Sequence, residues 1–255
     1  METFLCEWGY PRGWGLSALE TRGYNTGHST PHRGPKYADQ AATGTFGLNL
    51  DRWSKKADGS GAAELLLARP GSLVLQTVYS PDGRWMVFRQ RPFGSTQYSG
   101  DIYALDTSVS DEPIPLLVSE YYYHSIAVSP DGRWLSYVSR ESGRDEVFVS
   151  PFPNSDAGRW QVSSDGGTEP LWAHSGKELF YRNGADELVA VQLSDSDTFA
   201  WDSQDVLFSM SDYRSSSLHQ AYAVSPDDQR FVAIKLEAVE DTELILVDNW
   251  TELLK

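Results

Sequence analysis

Cysteine is almost missing from this chain. Cys6 is the only one in 255 residues, so an intramolecular disulfide is impossible and a cysteine-rich metal site is excluded. Long apolar runs are missing too, since no stretch approaches the ~18 residues that cross a bilayer. Positive charge is scarce: 21 Lys and Arg stand against 36 Asp and Glu, a net charge of -15. Such a surface repels a phosphate backbone and an anionic membrane, so neither nucleic acid nor membrane insertion is expected. The stretch Met1 to Gly15 holds Glu2 and Glu7, no basic start and no apolar core, so it does not read as a signal peptide. The chain as written is therefore expected in the cytoplasm.

What is present points to many short strands. Aromatic residues make up 13%, nine of them Trp, and 21 Gly with 13 Pro supply turns. Ser80-Pro81-Asp82-Gly83-Arg84-Trp85 recurs identically as Ser129-Pro130-Asp131-Gly132-Arg133-Trp134. A weaker copy runs from Ser225-Pro226-Asp227 to Phe231, and Ala173-His174-Ser175-Gly176-Lys177-Glu178 occupies the place of a missing one. Periods of about 40–50 residues mark propeller blades. Proline fixes φ at the second corner and glycine accepts φ > 0, so each copy predicts a hairpin turn.

Apolar runs flank each turn: Leu73 to Tyr79 and Trp85 to Phe88, Ile126 to Val128 and Trp134 to Val138, Ala221 to Val224 and Phe231 to Ile234. Third strands are predicted at Asp101-Ile102-Tyr103, Glu146-Val147-Phe148, Glu187-Leu188-Val189 and Glu243-Leu244-Ile245. Fourth strands are predicted at Ile114 to Val118, Arg159 to Ser163 and Val206 to Ser209. Leu48 to Trp53 and Ala63 to Ala68 read as the last two strands of an earlier unit. The expected fold is all-β: a partial or incomplete β-propeller of about four to five blades, each of four antiparallel strands. Trp85, Trp134 and Phe231 should pack between neighbouring blades. The propeller domain spans 46–255. Residues 1–45 show no strand periodicity and are expected to be poorly ordered or atypical.

The Ser-Pro-Asp-Gly-Arg-Trp turns resemble the WD40-like repeats of TolB-type propellers. From Val128 to Val191, the string Tyr137-Val138-Ser139, Glu141-Ser142-Gly143-Arg144, Pro151-Phe152-Pro153, Trp160-Gln161-Val162-Ser163, Gly166-Gly167-Thr168-Glu169-Pro170 and Glu178-Leu179-Phe180-Tyr181 is similar to the C-terminal propeller of bacterial receptor-like serine/threonine protein kinases. The ending Asp248-Asn249-Trp250 looks like theirs as well. That resemblance implies a sensor module, placed outside the membrane if the chain is a piece of such a kinase. No glycine-rich phosphate loop, His-Arg-Asp loop or Asp-Phe-Gly site is present, so kinase chemistry cannot be carried over.

No catalytic residue, metal site or cofactor is predicted. Gly27-His28-Ser29-Thr30-Pro31 lacks the last glycine of a hydrolase elbow, and Gly13-Trp14-Gly15-Leu16-Ser17-Ala18 lacks the strand a dinucleotide fingerprint needs. The five histidines have no metal-ligand spacing. Asp195, Asp197, Asp202 and Asp205 read as a solvated acidic loop, with calcium as the alternative. Asn249-Trp250-Thr251 matches a glycosylation acceptor.

The site expected from propeller geometry is the channel mouth. Counting back from each turn gives Gln76, His124 with Ser125, Thr168 with Glu169, and His219 with Gln220. Such a ring of hydrogen-bonding groups suits a protein, peptide or small-molecule ligand. The function expected is a non-catalytic binding or sensor module. Two alternatives stay open: a structural remnant of a truncated receptor-like kinase, offering an open sheet edge for self-association, and a propeller hydrolase or peptidase-associated domain.

Overall fold

The computed structural model describes residues 51–54, 60–95, 100–109, 112–216 and 218–236. Residues 1–45, the third strand expected at Glu243-Leu244-Ile245, the elbow-like and fingerprint-like stretches and the Asn249 acceptor lie outside the described residues. Among the described residues no helix is long and apolar enough to cross a membrane.

Among the described residues sixteen strands form five antiparallel sheets. The first sheet pairs β3 (Ser72–Tyr79), β4 (Trp85–Pro92), β5 (Asp101–Asp106) and β6 (Ile114–Leu117) in chain order. The second repeats this with β7 (Tyr123–Val128), β8 (Trp134–Ser139), β9 (Glu146–Pro151) and β10 (Trp160–Gln161). The third has β11 (Gly167–Trp172), β12 (Glu178–Asn183), β13 (Glu187–Leu193) and β14 (Trp201–Ser209). Two-stranded sheets flank them: β1 (Arg52–Ser54) with β2 (Glu64–Leu67), and β15 (Tyr222–Val224) with β16 (Phe231–Ala233). Three four-stranded sheets and two two-stranded ones fit the expected partial propeller of about four to five blades.

The turn chemistry repeats to within a few tenths of an ångström. Ser80 Oγ donates to Asp82 Oδ1 at 2.5 Å and accepts from Trp85 N at 2.9 Å. Ser129 does the same at 2.5 and 3.0 Å, and Ser225 at 2.5 and 3.0 Å. Gly83 and Gly132 both have φ of 71°, a left-handed value that costs glycine nothing. In the third copy Asp228 holds this position with φ of 57°, which Asp tolerates better than most residues. The bond from Ser225 N to Arg230 O matches those from Ser80 N to Trp85 O and Ser129 N to Trp134 O. Arg230, not Phe231, is thus the positional equivalent of the tryptophans. Phe231 still packs between sheets, with its ring 4.9 Å from that of Phe180.

The degenerate turn keeps the backbone bond from Gly176 N to Ala173 O but has lost the serine and the aspartate. A neighbour compensates. The Asp228 carboxylate accepts from His174 N at 2.8 Å and Ser175 N at 2.9 Å, tying the third sheet to the last partial one.

Several strands run longer than expected, β4 to Pro92 and β7 from Tyr123 among them, and two further boundaries differ for a visible reason. β10 is short because the Ser163 hydroxyl, rather than a carbonyl, takes Val147 N at 2.8 Å and also binds Glu146. β14 begins earlier, at Trp201, since Ser194 N closes the loop onto Ala200 O at 3.0 Å. Asp202 and Asp205 therefore lie on a strand, and only Asp195 and Asp197 lie on the loop.

Alternating residues face opposite neighbours, as period 2 requires. Met86 and Phe88 pack toward Leu67 of the first partial sheet, while Val87 packs with Ile126, Leu135 and Tyr137 of the second sheet. Val138, Val147 and Val149 face Leu179 and Tyr181 of the third. Phe180 and Leu188 face Tyr222 and Val224. The core is therefore a series of seams, each shared by two sheets. At the end of the series the pattern is uncovered: Val232 and Ile234 are 55% and 57% exposed, whereas Val87 and Val138 at equivalent positions are at 0%.

The first turn is also anchored to the third strand of its own sheet. Arg84 Nε donates to Asp106 Oδ2 at 2.9 Å, and Ser108 Oγ donates to Oδ1 at 2.6 Å. These bonds hold the Asp106 carboxyl down at about 2. A depressed carboxyl contributes stability above its ordinary range near 4, and that contribution is lost as pH falls from there through about 2. Arg84→Gln should move the Asp106 midpoint back toward the ordinary range, read from its side-chain carboxyl carbon in an NMR titration. An unmoved midpoint would mean that the ion pair does not form.

Candidate functional site

The residues expected at the channel mouth fall on one structural feature. The inner strand of each complete sheet carries a register shift: between Val74 and Gln76 in β3, His124 and Ala127 in β7, and Thr168 and Leu171 in β11. Ser125 and Glu169 have φ of 53° and 56°, left-handed values that non-glycine residues hold only when the surroundings fix them.

The surroundings do so by joining one sheet to the next. Gln76 Oε1 accepts from Ile126 N at 3.0 Å while its Nε2 donates to Ile126 O at 3.2 Å, a two-point clamp from the first sheet to the second. Glu169 is fully buried; its Oε2 accepts from Ala221 N at 2.7 Å and its Oε1 from Ser216 N at 2.9 Å. Gln220 Nε2 donates to Pro170 O at 2.5 Å, and Tyr222 OH donates to Glu169 O at 2.9 Å. Ser125 N donates to Leu218 O at 3.3 Å. His219 is exposed, its Nδ1 3.2 Å from Ser216 Oγ. The inner-strand positions thus hold sheets together through polar groups, with His219 left facing solvent.

His124 sits in a hydrogen-bonded chain. Its Nδ1 lies 3.0 Å from Ser125 Oγ, and its Nε2 lies 3.3 Å from Asp145 Oδ1. Asp145 also accepts from Arg140 Nε at 2.6 Å. Burial pushes the His124 imidazole down despite Asp145, so the ring is neutral at pH 7. Burial pushes the Asp145 carboxyl up, but hydrogen bonds from His124 and Arg140 outweigh it and hold the group well below the usual range. An ionised Asp145 fixes the proton on Nε2, leaving Nδ1 to accept from Ser125. The order is Ser-His-Asp, yet His124 and Ser125 are both at 0% exposure. Tyr122 lies on the imidazole at 5.0 Å, with the Arg89 and Arg140 guanidinium groups 5.5 and 5.3 Å from the Tyr122 ring. Both side chains of the pair are thus sealed from solvent.

Among the described residues no group of three or more His, Cys, Asp or Glu is placed to hold a metal ion. Asp202 and Asp205 accept from the hydroxyls of Ser194 and Ser203 at 2.5 and 2.8 Å.

The three seams that follow the first complete sheet differ at the end that carries the hairpin turns. Between the second and third sheets, Phe199 is buried among Trp134, Trp160, Trp172 and Trp201, with ring centroids 5.4, 5.7, 6.3 and 5.8 Å away. Between the third and last sheets the Asp228 carboxylate bridges the gap. Between the first and second, Phe152 meets Trp85 edge-on at 5.9 Å, and among the described residues no further indole joins them. A cavity of about 220 Å³ remains there, walled by Pro81, Trp85, Pro130 and Phe152 with Asp82 and Asp131 at its sides.

Two solved structures share this arrangement of sheets. TolB from Acinetobacter baumannii superposes with a TM-score of 0.50 at 17% identity, over 71% of this chain and 42% of TolB. An oligogalacturonate lyase in complex with manganese gives 0.52 at 12% identity, over 72% of this chain and 50% of the lyase. The fold is a TolB-like β-propeller. The chain spans about half or less of the length of these proteins. No family model matches it, and no curated protein does.

The propeller's seam contents were not visible in the sequence. Phe199 stands in a polar, acidic stretch, Ser194 to Asp202, that reads as a solvated loop. The groove residues belong to turns that the repeat marks as structural. One signal did exist: Phe152 and Phe199 each lie between the third and fourth strands of a sheet, and each meets the tryptophan of the turn in the preceding sheet.

Proposed function

We propose that this propeller segment is a non-catalytic recognition module for a protein or peptide. The observation that carries this reading is the open groove between the first two sheets, at a place where the next seam is filled by aromatic rings. A propeller stabilised only for its own sake would fill each seam alike. The burial of His124 and Ser125 speaks against a serine hydrolase, and a fluorophosphonate probe should leave Ser125 unlabelled. Labelling there would favour the enzyme. The lyase resemblance lends that alternative only a shared fold, because a fold does not fix chemistry. The sensor form of the reading rests on the likeness of Val128 to Val191 to receptor-like kinase propellers.

Panning a phage-displayed random peptide library against the protein tests recognition. The reading expects a recovered consensus sequence, and selection without one would overturn it. A second reading, a remnant that associates with its own copies, is favoured by the uncovered face at Val232 and Ile234. That reading predicts a mass that rises with concentration in sedimentation and falls back on Ile234→Ser.

A further inference from the structure

We propose that the groove between the first and second sheets receives the side chain of an arginine or lysine presented by a peptide or protein partner. This deepens the recognition reading and rests on it. Size argues first. At about 220 Å³ the groove is below the ~300–1,000 Å³ of sites that enclose a small-molecule ligand, and it suits a single long side chain. The walls suit the stem of such a side chain, since Pro81, Pro130, Trp85 and Phe152 offer apolar surface to methylene groups. The head group would meet the two carboxylates and the aromatic rings, and a cation is drawn to both.

The carboxylates are available for this. Asp82 and Asp131 each use Oδ1 for their own turn, accepting from Ser80 Oγ with Arg84 N and from Ser129 Oγ with Arg133 N. Oδ2 takes no part in the turn. The Ser80 hydrogen bond, followed by that from Arg84 N, holds the Asp82 carboxyl below the usual range, so it is anionic at neutral pH.

Among the described residues the nearby cations do not fill the place. Arg84 lies over the Trp85 indole at 5.3 Å, but its charge is taken up by Asp106 at 2.7 Å. Arg133 lies over Trp134 at 5.2 Å and donates to Asp197 O at 2.8 Å across the next seam. Beyond the groove, the net charge of -15 steers a basic partner toward the surface and repels an acidic one.

N-acetyl-arginine amide and N-acetyl-citrulline amide, which differ in the charge of the head group, separate a cation site from an apolar slot. The readout is the Trp85 indole N–H signal in a nitrogen–proton NMR spectrum, assigned with Trp85→Phe. Saturable shifts are expected for the arginine probe in the millimolar range, with citrulline at least about tenfold weaker. In the Asp82→Asn/Asp131→Asn double variant arginine should also weaken about tenfold or more. Asparagine retains Oδ1, so the turns should survive, and each single variant serves as a check by circular dichroism. Equal binding of citrulline, no saturable shift with arginine, or full binding by the double variant would overturn the proposal. A peptide consensus that binds wild type and the double variant equally would sink this groove and leave recognition standing. Failure to select any consensus would sink recognition itself.

Discussion

Glu169→Ala should lower the unfolding free energy by about 2–4 kcal/mol, measured by urea denaturation. The carboxylate is fully buried and serves two backbone donors of the last partial sheet, Ala221 N and Ser216 N. Alanine leaves both N–H groups without that acceptor, and a buried unsatisfied donor costs roughly 1–3 kcal/mol. The left-handed φ of 56° is no more strained for alanine than for glutamate, so the loss reports the hydrogen bonds. Glu169→Gln should cost about half as much, because the amide can accept from one donor while its NH₂ opposes the other.

The pH dependence has a defined sign. Burial raises the Glu169 carboxyl, only partly offset by the Ala221 and Ser216 N–H groups. A raised carboxyl favours the fold while protonated, and that contribution is lost as pH rises from the ordinary carboxylate range through the raised value. Wild type should lose stability across this window relative to Glu169→Gln. An alanine variant within about 0.5 kcal/mol of wild type would show that the inter-sheet bonds do not form.

Phe199→Ala should be at least as damaging, at about 3–5 kcal/mol. Phe199 is 5% exposed and sits at the centre of the four indoles that fill the seam between the second and third sheets. Deleting the ring opens a cavity that Trp134 and Trp172 cannot both close, since each is held in its own sheet. The near-ultraviolet circular dichroism should weaken as those indoles lose their fixed packing. Leu207→Ala, at a site 44% exposed on β14, should cost less than about 1 kcal/mol and so controls for strand effects. Equal losses at the two positions would contradict a packed aromatic seam.

These two residues mark where the sequence was legible. Glu169 could be located by counting back from the turn, because Gln76, Ser125 and Glu169 each lie four residues before the first residue of their turn. What its side chain faces could not be counted. That depends on how far the next sheet has rotated, which in turn depends on residues about fifty positions away. Gln76 and Ser125 are of the same kind: found by period, but their hydrogen bonds to Ile126 and Leu218 are set by how the sheets pack.

Phe199 was invisible for a different reason, since one aromatic residue in an acidic loop carries no periodic signal. Phe231 exposes the limit of aligning by bulk. A large residue after a turn resembles Trp85, yet the turn's hydrogen bonds assign that role to Arg230. The strands, turns and unit count were thus readable from local chemistry. The seams were not, because each is built by two sheets at once.

The most direct test of the account is hydrogen exchange of the protein with and without a peptide selected from the library. Recognition in the seam predicts slowed exchange at the turns Ser80 to Trp85 and Ser129 to Trp134, and at Phe152, with no change at His124, Ser125 or His219. Protection at His124, Ser125 and His219, with the two turns unaffected, would place recognition at the channel mouth and contradict the account.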